Sequence, residues 1–211
     1  MSLGLTYPLN IGSVNLGKFI IKIERRDVMP IILVVATDNK GNIGKDGKLP
    51  WGAPIRADMK RFREITMRGS DSSESFPFLV MGRATWESIG SRSLEGRYNI
   101  VLSRDKNFKA PGALVLNGVE DVLLIAHSAS DGLGALVYVI GGAEVYQQFL
   151  PYAEQVYLTQ VDGEFEGDVK FPPHDTTKWA PYLEDEILAG PLTPYNLKFI
   201  RLERIAPTIP K

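Results

Sequence analysis

Asp58 is the residue whose type and position most directly suggest chemistry. It lies in the first turn of a predicted helix, beside an apolar stripe that recurs at helical spacing as Ile55, Met59, Phe62 and Ile65. A carboxylate at the edge of an apolar face is costly to bury, so it either faces solvent near the positive end of the helix dipole or is held for a ligand. For an aspartate taken alone the first interpretation is the more common, and both stay open at this step.

Gly141 and Gly142 are the second candidate, because they connect a predicted buried strand to a predicted helix. Glycines at such a junction allow a tight turn and a close approach of the backbone to a phosphate, with helix amide groups pointing at it. A Gly-Gly pair also occurs in many structural turns. The chain has no G-x-G-x-x-G pattern, which argues against a Rossmann dinucleotide site.

Arginines and hydroxyl side chains lie at two further strand ends. Ser103 and Arg104 follow one predicted strand, and Arg83 and Thr85 follow another. Ligands of open α/β sheets bind beyond the carboxyl ends of the strands, and arginine offers a fork of donors that suits phosphate. Each residue taken separately is more often a solvated loop residue, so it is their combination that indicates a phosphorylated ligand.

The elements that must position these residues alternate along the chain. The pattern predicts strands at 31–36, 76–81, 98–103, 113–116, 135–140, 155–161 and 197–205, and helices at 55–67, 119–129 and 144–150. This alternation indicates an α/β fold with a mostly parallel central β-sheet flanked by helices. The last two strands have no helix between them, which predicts an antiparallel C-terminal edge.

The patterned part of the chain forms one predicted domain. We assign residues 29–211 to that domain and residues 1–28 to an N-terminal extension of unknown role. Residues 19–23 could form a strand, but no neighbouring segment marks a partner for it. An extension without a part in the fold is the interpretation that we favour.

Composition narrows the classes of function. The 211 residues include 24 basic and 25 acidic ones, and the formal net charge of -1 gives no global field for nucleic acid or a membrane surface. The chain has no cysteine, and His127 and His174 lie far apart, so we expect no metal site. No apolar run is long enough for a bilayer span and no secretory signal is evident, so we expect a cytoplasmic protein.

Taken together and in order, these residues resemble those of the dihydrofolate reductase family. The resemblance covers residues 30–206, and it is specific because many short motifs recur in the family's order at compatible spacing. The motifs are Ile43-Gly44, Leu49-Pro50-Trp51, Asp58 with Phe62, Met81-Gly82-Arg83-x-Thr85-Trp86-Glu87-Ser88-Ile89, Gly96-Arg97-x-Asn99, Leu102-Ser103-Arg104, Val139-Ile140-Gly141-Gly142 and Tyr157-Leu158-Thr159.

The resemblance implies an oxidoreductase that reduces dihydrofolate to tetrahydrofolate with NADPH, in support of one-carbon metabolism and thymidylate synthesis. A hydride would pass to pterin C6 and a proton to N5. The expected catalytic residues are Asp58, as the single acid of the pterin pocket, Thr159, which would brace it, and Trp51 and Leu49. The residues expected to line the slot around the pterin and benzoyl groups are Val34, Val35, Met59, Phe62, Ile89 and Leu94, with Arg97 on the glutamate α-carboxylate.

The resemblance also implies where NADPH binds, and we expect the enzyme to act as a monomer. The residues expected over the nicotinamide are Ala36, Asn42, Ile43, Gly44, Lys45, Gly47 and Leu49. Those expected at the adenosine phosphates are Gly82, Arg83, Ala84, Thr85, Ser103 and Arg104. Those expected at the pyrophosphate and the nicotinamide ribose are Ile140, Gly141, Gly142, Ala143, Glu144, Val145 and Tyr146, with a cis peptide bond between the two glycines.

Two segments depart from the family pattern. Two extra residues separate Trp51 from Asp58 relative to the shortest family spacing, but Asp58 and Phe62 keep their own spacing, so Asp58 stays the expected acid. Arg92 is a candidate for a second arginine at the glutamate end, in a segment one residue longer than expected. Residues 69–75 form an insertion that we expect to extend a surface loop.

Two other functions are compatible with this fold. A pyrimidine reductase of riboflavin synthesis has a similar fold and uses NADPH, but the residues from Leu49 to Phe62 argue against it because they build the pterin pocket. A binding module that has lost catalysis is disfavoured because Trp51, Asp58 and Thr159 are all retained.

Overall fold

A computed structural model describes residues 11–15, 20–23, 30–68, 76–128, 136–191 and 193–205. In chain order its elements are β1 (Ile11–Asn15), β2 (Ile20–Ile23), β3 (Ile31–Thr37), β4 (Asn42–Gly44), α1 (Arg56–Thr66), β5 (Phe78–Gly82), α2 (Arg83–Ser88), β6 (Tyr98–Leu102), β7 (Leu114–Leu116), α3 (Val119–Ser128), β8 (Val137–Val139), α4 (Ala143–Phe149), β9 (Gln155–Val161), β10 (Val169–Lys170), β11 (Trp179–Ile187) and β12 (Leu197–Arg204). Every predicted element is present, with bounds shifted by no more than two residues; the predicted ends at 129 and 135 and the insertion at 69–75 lie outside the described residues.

An eight-stranded sheet carries the fold, in the order β11-β12-β9-β3-β8-β5-β6-β7. All pairings from β9 to β7 are parallel, whereas β12 lies between β9 and β11 and is antiparallel to both. The predicted α/β fold with a mostly parallel sheet and an antiparallel C-terminal edge is confirmed. The sequence pattern does not predict β11, because six of its nine residues are exposed and it lacks the alternation of buried apolar side chains that identifies a strand.

The central strand β3 separates two apolar clusters, because successive side chains of a strand point to opposite faces of the sheet. Leu33 and Val35 face the cluster that includes residues of α3 and α4. Ile32 and Val34 face the cluster that includes Ile65 of α1 and residues of α2. Burial of β3 on both faces agrees with its uninterrupted apolar sequence.

Helix α1 packs less completely than its sequence pattern suggests. Ile55, just before the helix, and Ile65 in its last turn are both 3% exposed, and Phe62 is half-buried. Met59, however, is 46% exposed, so the apolar stripe of α1 is not buried at this position. Every helix in the described part of the chain is too short or too polar to span a bilayer.

The strands β1 and β2 form a separate antiparallel hairpin, in which Ile11 pairs with Ile23. The strand considered possible at 19–23 is present as β2 over residues 20–23, and its partner is β1, which the sequence analysis did not identify. The partner was missed because strand pairing depends on a register that two short apolar segments do not specify by themselves. The assignment of residues 1–28 to an extension of unknown role stays a prediction, and residues 1–10, 16–19 and 24–29 lie outside the described residues.

Asp38 joins the loop after β3 to the segment after β9. Its buried carboxylate accepts hydrogen bonds from the backbone amides of Lys40, Asn42 and Phe165, at 2.9, 2.7 and 3.0 Å, and from the Asn42 side chain at 2.8 Å. Burial alone would raise the pKa of Asp38, but these hydrogen bonds outweigh it and leave the pKa below its ordinary value. The Asp38 carboxylate thus supplies the hydrogen-bond acceptor that water would otherwise provide to the amide groups of both segments.

The pairing of β4 with β10 continues this connection. Val169 pairs with Gly44 in the β-ladder, the Asp168 amide donates to the Gly44 carbonyl at 3.0 Å, and the Asp46 amide donates to the Asp168 carboxylate at 2.9 Å. The loop that follows β3 is therefore fixed along its length to the segment 165–171, and its conformation depends on both.

We predict that Asp38→Ala lowers the free energy of unfolding by about 3 kcal/mol, because buried donors lose a charged acceptor. Denaturant unfolding followed by circular dichroism checks the value. Glu164→Ala is the control, since Glu164 pairs with Lys40 across an exposed surface and its loss should hardly change the free energy of unfolding.

The effect of Asp38→Ala should also depend on pH. The folded pKa of Asp38 is depressed, so its contribution is present above the ordinary pKa of 3.8 and is lost as the pH falls through the folded pKa. The difference between the wild type and the variant should therefore shrink in acid. A difference that is constant down to low pH would contradict this account.

Candidate active site

An apolar cluster lies on the Val34 face of the sheet, where the pterin and benzoyl slot is predicted. Phe62 of α1, Ile89, which follows α2, and Leu94 pack against the cluster that contains Val34. The structure therefore brings together four of the six residues predicted to line the pterin and benzoyl slot. Met59 is also on α1 but is exposed, so it lies at the surface of the helix rather than in the packed wall.

Val35 is the predicted slot residue that the structure places elsewhere. Its side chain belongs to the cluster on the opposite face of the sheet. There it lines a cavity of about 320 Å³ together with Val156 and Leu158. The prediction grouped Val34 and Val35 because they are neighbours in sequence, but the alternation of a strand separates neighbouring side chains, and the predicted position of Val35 is wrong.

Asp58 extends from the first turn of α1 to β9, where the Thr159 hydroxyl donates a hydrogen bond to its carboxylate. Thr159 is 7% exposed. The residue Asp58 is partly exposed, but burial of its carboxyl group raises the pKa of that group above the ordinary 3.8. The hydrogen bond from Thr159 opposes this rise without cancelling it. No cation among the residues that the structure describes contributes to the shift, so this is a carboxyl group in an apolar setting.

Trp51 lies beside this carboxyl-bearing helix and presents a buried donor. It is 8% exposed, packs with Ile55 and Leu49, and makes an edge-to-face contact with Phe165 at 6.1 Å between ring centres. Its indole Nε1 is buried and has no hydrogen-bond partner among the residues that the structure describes. An unpaired buried donor costs about 1–3 kcal/mol, which fits an acceptor supplied by a polar ligand or its solvent.

Tyr146 of α4 connects the slot to the other side of β3. Its hydroxyl donates to the Val34 carbonyl at 2.7 Å, and the side chain is 3% exposed. Burial raises the pKa of the Tyr146 phenol, and the charge of Asp58 raises it further, which places the phenol within electrostatic reach of that carboxylate. The sequence predicts a role for Tyr146 at the cofactor but not this proximity, which results from packing of α4 on β3.

Gly141 and Gly142 lie where β8 meets α4, and the peptide between them is cis, as predicted. The Gly82 amide donates to the Gly141 carbonyl at 2.7 Å, which brings the start of α2 next to the start of α4. A Cβ atom on Gly141 would lie 3.2 Å from the Thr85 hydroxyl oxygen. Neither helix has a side-chain cap at its N-terminal glycine, so first-turn amides and the Thr85 hydroxyl form a donor set that fits a diphosphate.

The predicted arginines lie along the same edge of the sheet. Arg104 has a side chain that is 90% exposed and pairs with Glu144 at 3.5 Å. Arg83 pairs with Glu87 at 2.7 Å and stacks on the Phe108 ring at 4.7 Å. Exposed ion pairs of this kind contribute little, so either guanidinium can exchange its carboxylate for a phosphate.

The loop predicted to cover the nicotinamide begins at Asn42, whose side chain has a structural position. It is 3% exposed, and its amide donates to Asp38 at 2.8 Å and to the Phe165 carbonyl at 3.1 Å. A Cβ atom on Gly167 would lie within 2.6 Å of the Asn42 Cβ, so the two segments are in close contact there. The residues from Ile43 to Leu49 continue from this fixed point.

Arg97 lies beside the last turn of α1. Its Nη1 donates to the Thr66 hydroxyl at 2.9 Å, and burial together with the nearby Arg63 cation lowers the pKa of Arg97. No acid in the described part of the chain contributes to that shift, so two guanidinium groups here suit a carboxylate supplied by a ligand. The sequence analysis missed Arg63 and considered Arg92, which is exposed and is not among the causes of the shift. Arg63 lies five residues after Asp58, which is not a same-face helical spacing, so the sequence pattern gave no signal for it.

Comparison with known proteins agrees with this geometry. Residues 30–204 match the sequence profile of the family described as dihydrofolate reductase. The chain belongs to the dihydrofolate reductase family. It is 34% identical to the dihydrofolate reductase of Bacillus subtilis over 174 residues, which are 82% of this chain and 94% of that protein. It is 39% identical to a dihydrofolate reductase of Haloferax volcanii over 153 residues, which are 70% of this chain and 73% of that protein.

A solved structure shares the dihydrofolate reductase fold of this chain. The dihydrofolate reductase of Enterococcus faecalis, determined in complex with NADP(H) and the compound RAB-propyl, superimposes with a TM-score of 0.73 and 32% identity. The match covers 84% of this chain and 97% of that one. In that complex, a protein of the same fold binds NADP(H), the cofactor whose diphosphate would fit the first-turn amides and the Thr85 hydroxyl of this chain.

We predict that Asp58→Asn makes the folded enzyme more stable near neutral pH. The folded pKa of Asp58 is raised, so the folded chain binds this proton more tightly than the unfolded chain, and stability is lost as the pH rises from 3.8 through the folded pKa. Asparagine keeps the acceptor for Thr159 but removes the buried charge. Denaturant midpoints at about pH 4 and about pH 8 should show the gain only at the higher value.

Glu64→Gln is the matched control for that measurement, because Glu64 is an acid on the same helix with a side chain that is 55% exposed. It should show no pH-dependent gain. A variant Asp58→Asn that is less stable than the wild type at the higher pH would mean that the carboxylate stabilises the fold instead.

Proposed function

We propose that this dihydrofolate reductase reduces dihydrofolate with NADPH by using Asp58 as the acid that controls protonation of pterin N5. The observation that carries the proposal is a single carboxyl group in an apolar slot, bonded to Thr159 and with its pKa raised by burial. A proton donor works best when its pKa lies near the working pH, and burial moves an aspartate in that direction.

The substrate lies along the slot between α1 and β3 in this proposal. The pterin amidine bonds to Asp58, with the benzoyl group between Phe62 and Leu94. The glutamate carboxylate pairs with Arg97, and the neighbouring Arg63 adds a second positive charge. A negative group at one end and positive groups at the other fix the direction in which a pterin–benzoyl–glutamate molecule can bind.

The cofactor occupies the edge formed by the starts of α2 and α4. Thr85 and the first-turn amides would hold the diphosphate, and Arg104 and Arg83 would hold the 2′-phosphate. NADPH, when bound, supplies the hydride. Tyr146 and the Val34 carbonyl to which it is bonded lie between this edge and Asp58, and their burial excludes water from the region where the two ligands meet.

We further propose that the enzyme acts as a monomer in the cytoplasm. The residues that we assign to the acid, the slot and the cofactor edge are all supplied by a single chain, which is what a monomeric enzyme requires. Sedimentation velocity at micromolar concentration tests the monomer, and fractionation of cells tests the compartment.

We predict that Asp58→Asn lowers kcat/KM for dihydrofolate at neutral pH by about a hundredfold to ten-thousandfold, the usual contribution of a positioned acid. The loss should become smaller as the pH falls, because dihydrofolate already protonated at N5 becomes available from solution. The affinity for NADPH should stay near that of the wild type. The measurement is steady-state kcat/KM across the pH range, beside fluorescence titration with NADPH.

A near-normal rate for Asp58→Asn at neutral pH would remove Asp58 from this role. A loss that is equal at every pH would indicate that Asp58 supports the helix start or its packing. Glu64→Gln again serves as the control, with unchanged kinetics expected.

We predict that Arg104→Ala weakens NADPH binding by about tenfold to a hundredfold, because a charge-assisted hydrogen bond contributes about 1.5–3 kcal/mol. NADH binding should hardly change, since NADH lacks the 2′-phosphate. Lys198→Ala, on the antiparallel edge, is the control for loss of one positive charge. An equal loss for both cofactors would show that Arg104 contacts a shared group or supports the fold.

A further inference from the structure

Helix α1 contacts β12 through Arg61, one turn after Asp58. The Arg61 guanidinium lies 4.8 Å from the centre of the Phe199 ring. Phe199 is 2% exposed and is the direct partner of Thr159 in the β9–β12 ladder. Residues three apart share a helix face, so Asp58 and Arg61 contact the two members of one cross-strand pair, Asp58 on Thr159 and Arg61 on Phe199.

Arg61 is itself held by β11. It forms an ion pair with Glu184, whose other carboxylate oxygen accepts from Arg201 at 2.8 Å. Arg201 also pairs with Glu203 and stacks on the Tyr182 ring at 5.0 Å. We call Arg61, Glu184, Arg201 and Glu203 the α1–β11 network.

The network differs from an ordinary surface ion pair. The side chains of Arg61 and Glu184 are only 19% and 23% exposed. Lys60 and Glu64, on the same helix, are 79% and 55% exposed and lie 3.7 Å apart. Solvent screening leaves such a surface pair with little effect, whereas the partly buried pair with a shared carboxylate resists separation.

We propose that Arg61 is a positioning residue, which with Glu184 fixes α1 against β12 and so holds the Asp58 carboxyl against Thr159. The proposal rests on the acid role of Asp58 proposed above. A catalytic group must be held within about 0.5 Å of its productive position, and α1 carries this acid at its first turn. Arg61 is the charged contact from that helix to the strand pair that receives Asp58.

The α1–β11 network acts on Asp58 by positioning α1 and not through the electrostatic field of its charges. Its two arginines and two glutamates have no net charge, and Arg61 does not contribute to the raised pKa of Asp58. The polar groups that face Asp58 are the Thr159 hydroxyl of β9 and the Tyr146 phenol of α4. If the network is broken, we expect α1 to separate slightly from β12, water to reach the carboxyl, and its pKa to fall toward the ordinary value.

The test compares Arg61→Leu and Glu184→Gln in the full chain. Each should lower kcat/KM for dihydrofolate by about tenfold, a modest share of what a misplacement of about 1 Å can cost. The double variant should lose little more than either single one, and NADPH affinity should not change. Both variants should shift the apparent pKa of the kcat/KM profile downward, and Lys60→Leu should change none of these values.

A second arm separates positioning from general support of the fold. In an Asp58→Asn background, Arg61→Leu should have little further effect on activity, because there is no acid left to position. Arg61→Lys, which keeps the charge but not the planar fork, should recover part of the rate. If Arg61→Leu does not fold, Glu184→Gln and Arg61→Lys provide the same comparison.

Three results would overturn the proposal. Opposite pKa shifts, upward for Arg61→Leu and downward for Glu184→Gln, would show that the charges act through their field. Losses that multiply in the Asp58→Asn background, or a lower melting temperature with an unchanged rate, would show a structural role alone. Full activity of Asp58→Asn by itself would instead remove the acid role of Asp58, so the two failures are distinguishable.

Discussion

The rest of the site depends on one constraint, which is that a single carboxyl group is held in an apolar slot without a cation beside it. The Thr159 hydroxyl gives Asp58 one hydrogen bond, and burial still raises its pKa. A negative charge on Asp58 is unfavourable in that setting, and no cation among the described residues stabilises it. The carboxyl group therefore keeps its proton to a higher pH than an exposed aspartate does. Every element that touches α1 or β9 therefore affects how well this position is maintained.

The two faces of the sheet pack against different parts of the molecule. The Val34 face contributes the slot with Phe62 and Leu94, whereas the Val35 face packs against α3 and α4. Tyr146 lies on the second face but reaches the Val34 carbonyl, so α4, whose start is at the predicted cofactor edge, is fixed directly to the strand that lines the proposed substrate slot. A shift of α4 would move both edges together.

Sequence could predict what depends on local pattern and could not predict what depends on contacts across the sheet. The uninterrupted apolar run of β3, the Gly141–Gly142 junction and Asp58 at a helix start are all readable along the chain. The exposed strand β11 has no apolar alternation, and Val35 was misplaced because residue spacing alone does not say which face meets a ligand. Arg63 and the Phe165 contacts of Asp38 appear only when distant segments meet.

The distribution of charged side chains along the proposed site allows most of its centre to be apolar. Arg104 and Arg83 lie at the cofactor edge, Arg63 and Arg97 at the far end of the slot, and Asp58 between them. A ligand with an anionic group at one end is then oriented by the pairing of that group with these arginines. Because the orienting arginines lie at the ends, the reacting atoms need no charged neighbour other than the proposed acid, Asp58. In this proposal Val34, Phe62 and the buried phenol of Tyr146 exclude water from that region, so that a hydride passes between two rings that water would otherwise solvate.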